Sequence, residues 1–108
     1  MDEQAAVLAL VALAQGMRLR IFRALVGAGP QGLTPGVLAA TLGVGASSLS
    51  FHLKELTRAG LVSQQRDGRH LIYRPELDRM NSLLAYLVAH CCSGEPCEAL
   101  PAQRCTDC

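Results

Sequence analysis

The first helix-forming segment of the chain is apolar around its whole circumference. Residues 5–14 contain only Ala, Val and Leu, and the stretch 2–14 is helical in composition. A helix that is apolar on every side must be covered on every side. A chain of 108 residues has too little protein to do this alone. The segment therefore predicts a second subunit as its partner.

The same segment lacks the length and the charge of a membrane or export signal. A spanning helix needs roughly 20 apolar residues, and an export signal begins with basic residues. Here the apolar run has ten residues and follows Asp2 and Glu3. We therefore expect a soluble cytoplasmic protein with no membrane partner, in which reducing conditions keep thiols free. Half of the residues are apolar, so the chain can form the small core of one domain.

Charge is distributed in three blocks along the chain. Residues 17–74 hold eight Lys and Arg against two acids, a net charge of +6, whereas residues 75–108 carry −3 and residues 1–16 carry −2. A basic centre between acidic ends favours a surface that binds a polyanion such as nucleic acid. The simpler alternative is the uneven charge that any short chain shows, and charge alone does not decide between them.

Two further helical patterns follow the apolar segment. Residues 17–26 predict a helix with three arginines on its polar side, and its expected buried positions are Leu19, Ile21, Phe22, Leu25 and Val26. Thr34 and Pro35 form a cap and first-turn pair that begins a short helix. Gly43 ends this helix.

A fourth helix, predicted over residues 46–59, begins only two residues later. Leu49, Leu53 and Leu56 form its buried stripe. At about 100° of rotation per residue, the opposite face is made of Ser47, Phe51, Lys54 and Arg58, with Ser48 and Ser50 on the flanks. Two helices joined by a tight glycine-containing turn, the second with a hydroxyl-rich and basic face, are typical of a helix-turn-helix.

Beyond Gly60 the periodicity changes from that of helices to that of strands. Residues 61–66 and 69–74 predict two strands joined by Asp67-Gly68, a pair that favours the φ > 0 geometry of a tight hairpin turn. The cationic and titratable residues at the tip are Arg66, Arg69 and His70. A basic two-stranded ribbon beside a helix-turn-helix forms a wing that can reach phosphates or the minor groove.

Five cysteines follow a last predicted helix, and the ninety residues before them contain none. The helix spans residues 76–90, and its apolar stripe is Met80, Leu83, Leu84, Leu87 and Val88. The cysteines are Cys91, Cys92, Cys97, Cys105 and Cys108. A terminal cluster behind a cysteine-free body suits a soft-metal or redox site better than a disulfide-stapled fold. We therefore divide the chain into a domain over residues 1–90 and a cysteine-rich tail over residues 91–108, which is part of that domain or partly disordered.

The first three cysteines form a candidate metal site. Cys91 continues the apolar stripe and Cys92 lies about 100° around the helix from it, so their sulfurs diverge on an intact helix. The glycine and proline that follow loosen the backbone, which can then turn to bring both thiols together with Cys97. Three thiolates suit As(III) or Sb(III), whose lone pair leaves a trigonal pyramid. Zn(II) or Cd(II) is the second choice, because zinc prefers four ligands and needs Cys105 or Cys108 as the fourth.

Three short motifs accompany the helix order and the terminal wing. They are Met17-Arg18-Leu19-Arg20-Ile21, Ser48-Leu49-Ser50-Phe51-His52-Leu53-Lys54 with Ala59-Gly60-Leu61-Val62, and Arg66-Asp67-Gly68-Arg69 with Tyr73-Arg74. Over about residues 5–90 the chain thereby resembles the ArsR/SmtB family of bacterial metal-responsive repressors. The resemblance implies a mainly α winged helix-turn-helix fold with a β-hairpin wing (α+β) and a homodimer joined through its first and last helices. It also implies binding to double-stranded operator DNA that metal binding weakens.

Two standard metal sites of the family are missing from this sequence. The arsenic sensors often carry Cys-x-Cys at the start of the helix before recognition, where this chain has Leu33-Thr34-Pro35-Gly36-Val37. The zinc sensors use Asp and His ligands on the last helix, which here holds Asp78 and His90. Some relatives instead place an adjacent cysteine pair and a third cysteine after the last helix. Cys91-Cys92 with Cys97 resembles that arrangement.

The candidate DNA contacts lie on the fourth helix, on the wing and on one arginine of the second helix. They are Ser47, Ser48, Ser50, Phe51, Lys54, Arg66, Arg69, His70 and Arg18. Phe51 stands where the family commonly has histidine, and it either touches a thymine methyl or lies against neighbouring side chains. His52 is nearer the buried stripe than the outer face, so we interpret it as structural.

The sequence does not favour an enzyme. It has no glycine-rich phosphate loop, and no second histidine accompanies the cysteine cluster to form an acid–base pair. Two other functions use the same thiols. One is a repressor that senses oxidation through disulfides among Cys91 to Cys97, and the other is a small metal carrier that does not bind DNA. The basic wing and the Ser/Lys helix face argue against the carrier, while redox sensing stays open.

Overall fold

Five helices and a two-stranded hairpin make up residues 1–89, the part of the chain that the computed structural model describes. The elements in chain order are α1 (Glu3–Leu13), α2 (Gly16–Ala28), α3 (Pro35–Leu42), α4 (Ala46–Arg58), β1 (Val62–Asp67), β2 (His70–Pro75) and α5 (Leu77–Leu87). The predicted mainly α fold with a β-hairpin wing is confirmed. The predictions for His90 and the five cysteines lie outside the described residues.

Side-chain caps begin α1 and α3, and the cap of α3 is the one that the sequence predicts. The Asp2 carboxylate accepts a hydrogen bond from the Ala5 N–H at 2.8 Å and begins α1. Thr34 Oγ1 accepts one from the Val37 N–H at 3.4 Å and begins α3. Gly43 ends α3 in the left-handed conformation, with φ 65°, which glycine adopts without steric cost. Local sequence therefore fixes the turn that leads into α4.

The core is formed where one face of each helix meets the base of the hairpin. Its buried residues are Ala6, Ala9, Ala12, Ile21, Phe22, Leu25, Leu38, Leu49, Leu53, Leu56, Ala59, Leu61, Val62 and Leu83. The predicted stripe of α4 is thus confirmed, and burial of each of its leucines contributes roughly 1.5–3 kcal/mol. The prediction that Leu19 and Val26 are buried is wrong, because both lie roughly 100° or more around α2 from its buried side and remain exposed.

The turn between the two strands of the hairpin lies one residue further along the chain than predicted. Its register joins Val62 to Pro75 at the base and Asp67 to His70 at the tip, so the turn consists of Gly68 and Arg69 instead of Asp67 and Gly68. Gly68 has φ 63°. A left-handed glycine fits the first central position of a two-residue hairpin turn, and this moves Asp67 into the strand.

A single-residue bridge that the sequence pattern did not indicate ties the wing to the loop before α3. Leu33 and Tyr73 exchange two backbone hydrogen bonds, of 3.0 and 2.8 Å. Gly32, with φ 70°, makes this approach possible, since a Cβ there would lie 2.6 Å from the Tyr73 carbonyl oxygen. A bridge of one residue has no periodicity, which is why the sequence did not reveal it. It fixes the wing against the helical body.

The helices α1 and α5 leave apolar side chains uncovered within one protomer. α1 buries only alanines, which are Ala6, Ala9 and Ala12. α5 ends at Leu87, earlier than predicted, and only Leu83 of its predicted stripe is fully buried. We call six exposed apolar residues of these two contacting helices the uncovered face, and they are Val7, Leu8, Leu10, Val11, Leu84 and Leu87.

None of the helices in residues 1–89 is by itself long and apolar enough to cross a membrane. The pairs α1–α2 and α3–α4 reach that length only when joined across bends of 99° and 113°.

Candidate nucleic-acid interface

The helices α3 and α4 form the predicted helix-turn-helix. Val44 and Gly45 alone separate Gly43 from the start of α4, and the two helices are bent by 113° from each other. This lies within the roughly 90–120° of helix-turn-helix pairs. Because Leu49, Leu53 and Leu56 hold one side of α4 in the core, its opposite side projects from the body of the protein.

That opposite side carries the residues predicted for recognition. All of the predicted α4 contacts are exposed, and they are Ser47, Ser48, Ser50, Phe51 and Lys54. Ser47 and Phe51 lie opposite the buried stripe, and helical rotation places the other three at the two edges of this outer side. Ser50 and Lys54 lie on the edge toward the wing, whereas Ser48 lies on the edge toward α2, together with His52. A helix that enters the major groove meets a DNA backbone on each side, so both edges can contact DNA.

An open cleft of about 390 Å³ separates the wing-side edge of α4 from the hairpin. Its lining residues are Ser50, Lys54, Thr57, Arg58, Gln64 and Tyr73. Gln64 and Tyr73 are a cross-strand pair of the hairpin. All six of these residues lie in the predicted fourth helix or the predicted wing, but the cleft itself depends on how the wing packs against α4, which no local pattern shows.

On the other edge, Arg18 of α2 joins two consecutive residues of α4. Arg18 Nε donates a hydrogen bond to His52 Nδ1 at 3.2 Å, and Arg18 Cζ lies 5.5 Å from the centroid of the Phe51 ring. The Phe51 and His52 rings meet edge to face at 5.6 Å. Phe51 is nevertheless 54% exposed, so it packs against its neighbours and still presents its outer edge to a ligand.

The contact with Arg18 selects the tautomer of His52 and contributes to lowering its pKa. Because Nδ1 accepts a hydrogen bond, the neutral ring carries its proton on Nε2. Desolvation by burial, and then repulsion from the Arg18 guanidinium, lower the pKa of His52 below its ordinary value of 6.5. The predicted structural role of His52 agrees with this half-buried position.

The tip of the wing presents its predicted residues to solvent. Arg66, Arg69 and His70 are all exposed, and none of them forms a side-chain hydrogen bond or ion pair with another residue of the described part of the chain. Arg74 behaves differently, because it donates to the Pro30 carbonyl at 2.8 Å and to Gln65 Oε1 at 2.7 Å. Arg74 therefore braces the wing, and the tip residues are available for a ligand.

The predicted metal ligands are all in the tail, beyond the described residues. Between residues 1 and 89, no three or more His, Cys, Asp and Glu side chains gather closely enough to hold a metal ion.

A helix-turn-helix whose second helix exposes hydroxyls and cations beside a basic hairpin defines a winged helix-turn-helix DNA-binding protein. Residues 13–65 match the family model described as a helix-turn-helix domain. The chain is also 35% identical, over 85 residues, to the HTH-type transcriptional regulator YgaV of Escherichia coli strain K12, and this match covers 79% of the chain and 83% of the relative.

Solved structures of related proteins share the fold. An ArsR-like transcriptional regulator from Rhodococcus sp. RHA1 has a TM-score of 0.70 at 26% identity, with 78% of this chain and 76% of that chain covered. A possible transcriptional regulator for arsenical resistance gives 0.64 at 33% identity, with coverage of 73% and 79%. The homodimeric winged helix-turn-helix DNA-binding domain of Mb0332 from Mycobacterium bovis, a possible ArsR-family regulator, gives 0.64 at 27%, with coverage of 79% and 77%. The chain belongs to the ArsR/SmtB family of winged helix-turn-helix transcriptional regulators.

Proposed function

We propose that this protein is a cytoplasmic repressor that binds operator DNA as a homodimer and leaves it when As(III) or Sb(III) binds the tail. The exposed face of α4, flanked by the wing, is the observation that carries DNA binding. On this face, Ser47, Ser48, Ser50 and Lys54 enter the major groove and Phe51 presents its edge to a base. The wing tip, with Arg66, Arg69 and His70, contacts the flanking backbone, and Arg18 contacts the backbone on the other edge.

The uncovered face of α1 and α5 supports the homodimer. Several of its side chains are more than half exposed in one protomer, among them Val11 at 61% and Leu87 at 51%. Large apolar patches on a small soluble domain mark interaction sites, and a two-fold dimer lets each protomer cover the same patch on the other. The similarity to a homodimeric solved domain agrees with this. A two-fold dimer then requires an operator with two related half-sites.

The chemistry of the tail supports a thiophilic effector. Cys91 follows the end of α5 by four residues, and Cys92 and Cys97 complete a set of three thiolates. Soft thiolates select soft ions, and three of them match the trigonal coordination of As(III) and Sb(III). The structural similarity to a possible regulator for arsenical resistance points in the same direction.

Release of DNA follows if the ion prefers the DNA-free form of the dimer. The thiols follow a helix of the uncovered face, and the residues of α4 are distant from them in sequence. We therefore infer that the ion acts by changing how the two protomers are set against each other. A coupling of about 1–3 kcal/mol, or roughly 5–150-fold in affinity, is the usual scale for such linkage.

A titration of the reduced protein on DNA tests this function. The probe is a duplex that the protein itself has selected from a randomised pool, and the ligands are arsenite, Sb(III), Zn(II), Cd(II) and peroxide, each added separately. Release at the lowest concentrations by arsenite or Sb(III) supports the proposal. Release by peroxide alone identifies a redox sensor, and release by Zn(II) or Cd(II) alone identifies a four-ligand site. Failure to select any duplex, combined with tight metal binding, identifies a metal carrier.

A further inference from the structure

We propose that the cleft between α4 and the wing holds one phosphodiester group of the DNA backbone, with Lys54, Arg58 and Tyr73 as its main contacts. This inference rests on the proposed DNA binding and adds Arg58 and Tyr73 to the interface. In this proposal the inner part of the wing contacts DNA as well as its tip.

The composition of the cleft matches the chemistry of a phosphate. Each of its six lining residues carries a hydrogen-bond donor, and no carboxylate lines it. Phosphate oxygens accept hydrogen bonds and carry negative charge, so hydroxyl, amide, ammonium and guanidinium groups suit them. Thr57 has already committed its hydroxyl hydrogen to the Leu53 carbonyl at 2.7 Å. Five donor residues therefore remain for a ligand, and two of them, Lys54 and Arg58, are cationic.

The position of the cleft matches the path of a DNA strand. One wall is the wing-side edge of α4, whose outer face is proposed to enter the major groove, and the other wall is the hairpin. A backbone bordering the groove passes between a recognition helix and its wing. The cleft is open to solvent, so a phosphate of a passing DNA strand can enter it from outside.

The hairpin wall of the cleft is held rigidly. Tyr73 is anchored by its two backbone hydrogen bonds to Leu33, and Gly32 permits that close approach. Burial raises the pKa of Tyr73 above its ordinary value of 10.0, so the phenol keeps its proton at neutral pH and acts as a donor. A donor that is already positioned loses little entropy when it binds.

Glu55 allows a test that separates a phosphate contact at Arg58 from general attraction of DNA to a cationic surface. Its carboxylate lies 3.4 Å from the Arg58 guanidinium, in an ion pair one turn along α4. A phosphate in the cleft must compete with this carboxylate for Arg58. Glu55→Gln should therefore strengthen DNA binding by about twofold to fivefold, and this gain should vanish when Arg58 is absent.

The test measures the affinity of the full-length dimer for its selected duplex and for a duplex of unrelated sequence, over a range of salt concentrations. Arg58→Gln should weaken binding to both duplexes by roughly tenfold and reduce the salt slope by about 1.8, because each of the two protomers loses one phosphate contact. Tyr73→Phe should weaken both without changing the slope. Arg23→Gln, which removes the same charge from the exposed side of α2, is the matched control. Thermal unfolding checks that each variant is folded.

Methylphosphonate substitution distinguishes a backbone phosphate from a free one. Neutral methylphosphonates at the contacted position of both half-sites of the selected duplex should make the wild type and Arg58→Gln bind alike, whereas other positions should leave the difference in place. Three results overturn the inference: Arg58→Gln behaves like Arg23→Gln, no methylphosphonate position removes the difference, or inorganic phosphate binds the cleft without any effect of Arg58→Gln on DNA affinity. A wild-type protein that binds neither duplex contradicts the proposed function itself.

Discussion

At the scale of single residues, the interface depends on contacts between elements that the sequence keeps far apart. Arg18 and His52 are 34 positions apart, yet a hydrogen bond joins them, and Arg18 also covers one face of Phe51. The sequence placed Phe51 and Arg18 among the candidate DNA contacts and His52 near the core. It could not show that the three form one cluster, because helical periodicity describes the faces of a helix and not which helix lies against them.

The His52 contact predicts a pH dependence of stability. The folded-state pKa of His52 is depressed, so the unfolded chain binds a proton more readily than the native one. Stability should fall as the pH drops from about 6.5 toward the lowered pKa, and should not depend on His52 above that range. His52→Gln cannot titrate, so its thermal unfolding between about pH 7.5 and pH 5 should show a smaller decline. Equal declines at the same protomer concentration would show that His52 is not responsible.

We predict that the exposed Arg69 contributes to DNA binding independently of the DNA sequence. It lies in the two-residue turn of the wing, where it can contact backbone but contributes little to sequence reading. Arg69→Ala should therefore weaken binding to selected and unrelated duplexes by the same factor and lower the salt slope by about 1.8, because each protomer of the dimer loses one backbone contact. An unchanged salt slope in equilibrium titrations removes the wing tip from the interface.

At the scale of elements, local sequence patterns predicted helix ends and buried faces but not the contacts between elements. The cap at Thr34, the stop at Gly43 and the stripe of α4 depend on neighbours within a few residues, and the structure confirms all of them. The hairpin register was wrong by one residue, because Asp67-Gly68 and Gly68-Arg69 both contain a turn-forming glycine and only the strand pairing decides between them. The Leu33–Tyr73 bridge and the cleft beside it required the packed fold.

The uncovered face predicts an obligate dimer joined through α1 and α5. Val11→Glu would place a carboxylate in this apolar contact twice by symmetry, and an unpaired buried charge costs several kcal/mol. The variant should sediment as a monomer or unfold at micromolar concentrations. Val37→Glu, on the exposed side of α3, is the matched control and should remain dimeric. A folded wild-type monomer at micromolar concentration would rule the dimer out.

At the scale of the whole molecule, the fold and the DNA-reading surface lie in residues 1–89, and the proposed sensing chemistry lies in the tail. Charge follows the same division, since residues 1–89 carry a net charge of +3 and residues 91–108 carry −2. The sequence predicted the fold because each element has its own pattern. It predicted the tail ligands from chemistry and a family resemblance, and these ligands remain a prediction.

Release of DNA by a metalloid bound to three thiolates is tested most directly by the arsenite response of the Cys97→Ser dimer on its selected duplex, followed by fluorescence anisotropy under reducing conditions. We expect Cys97→Ser to bind DNA as tightly as the parent but no longer to be released by arsenite, because two thiolates cannot complete the three-coordinate site. The double variant Cys105→Ser, Cys108→Ser should keep nearly the whole response. If Cys97→Ser leaves DNA at the same arsenite concentration as the parent, the three-thiolate site is wrong and the pair Cys105 and Cys108 becomes the better candidate.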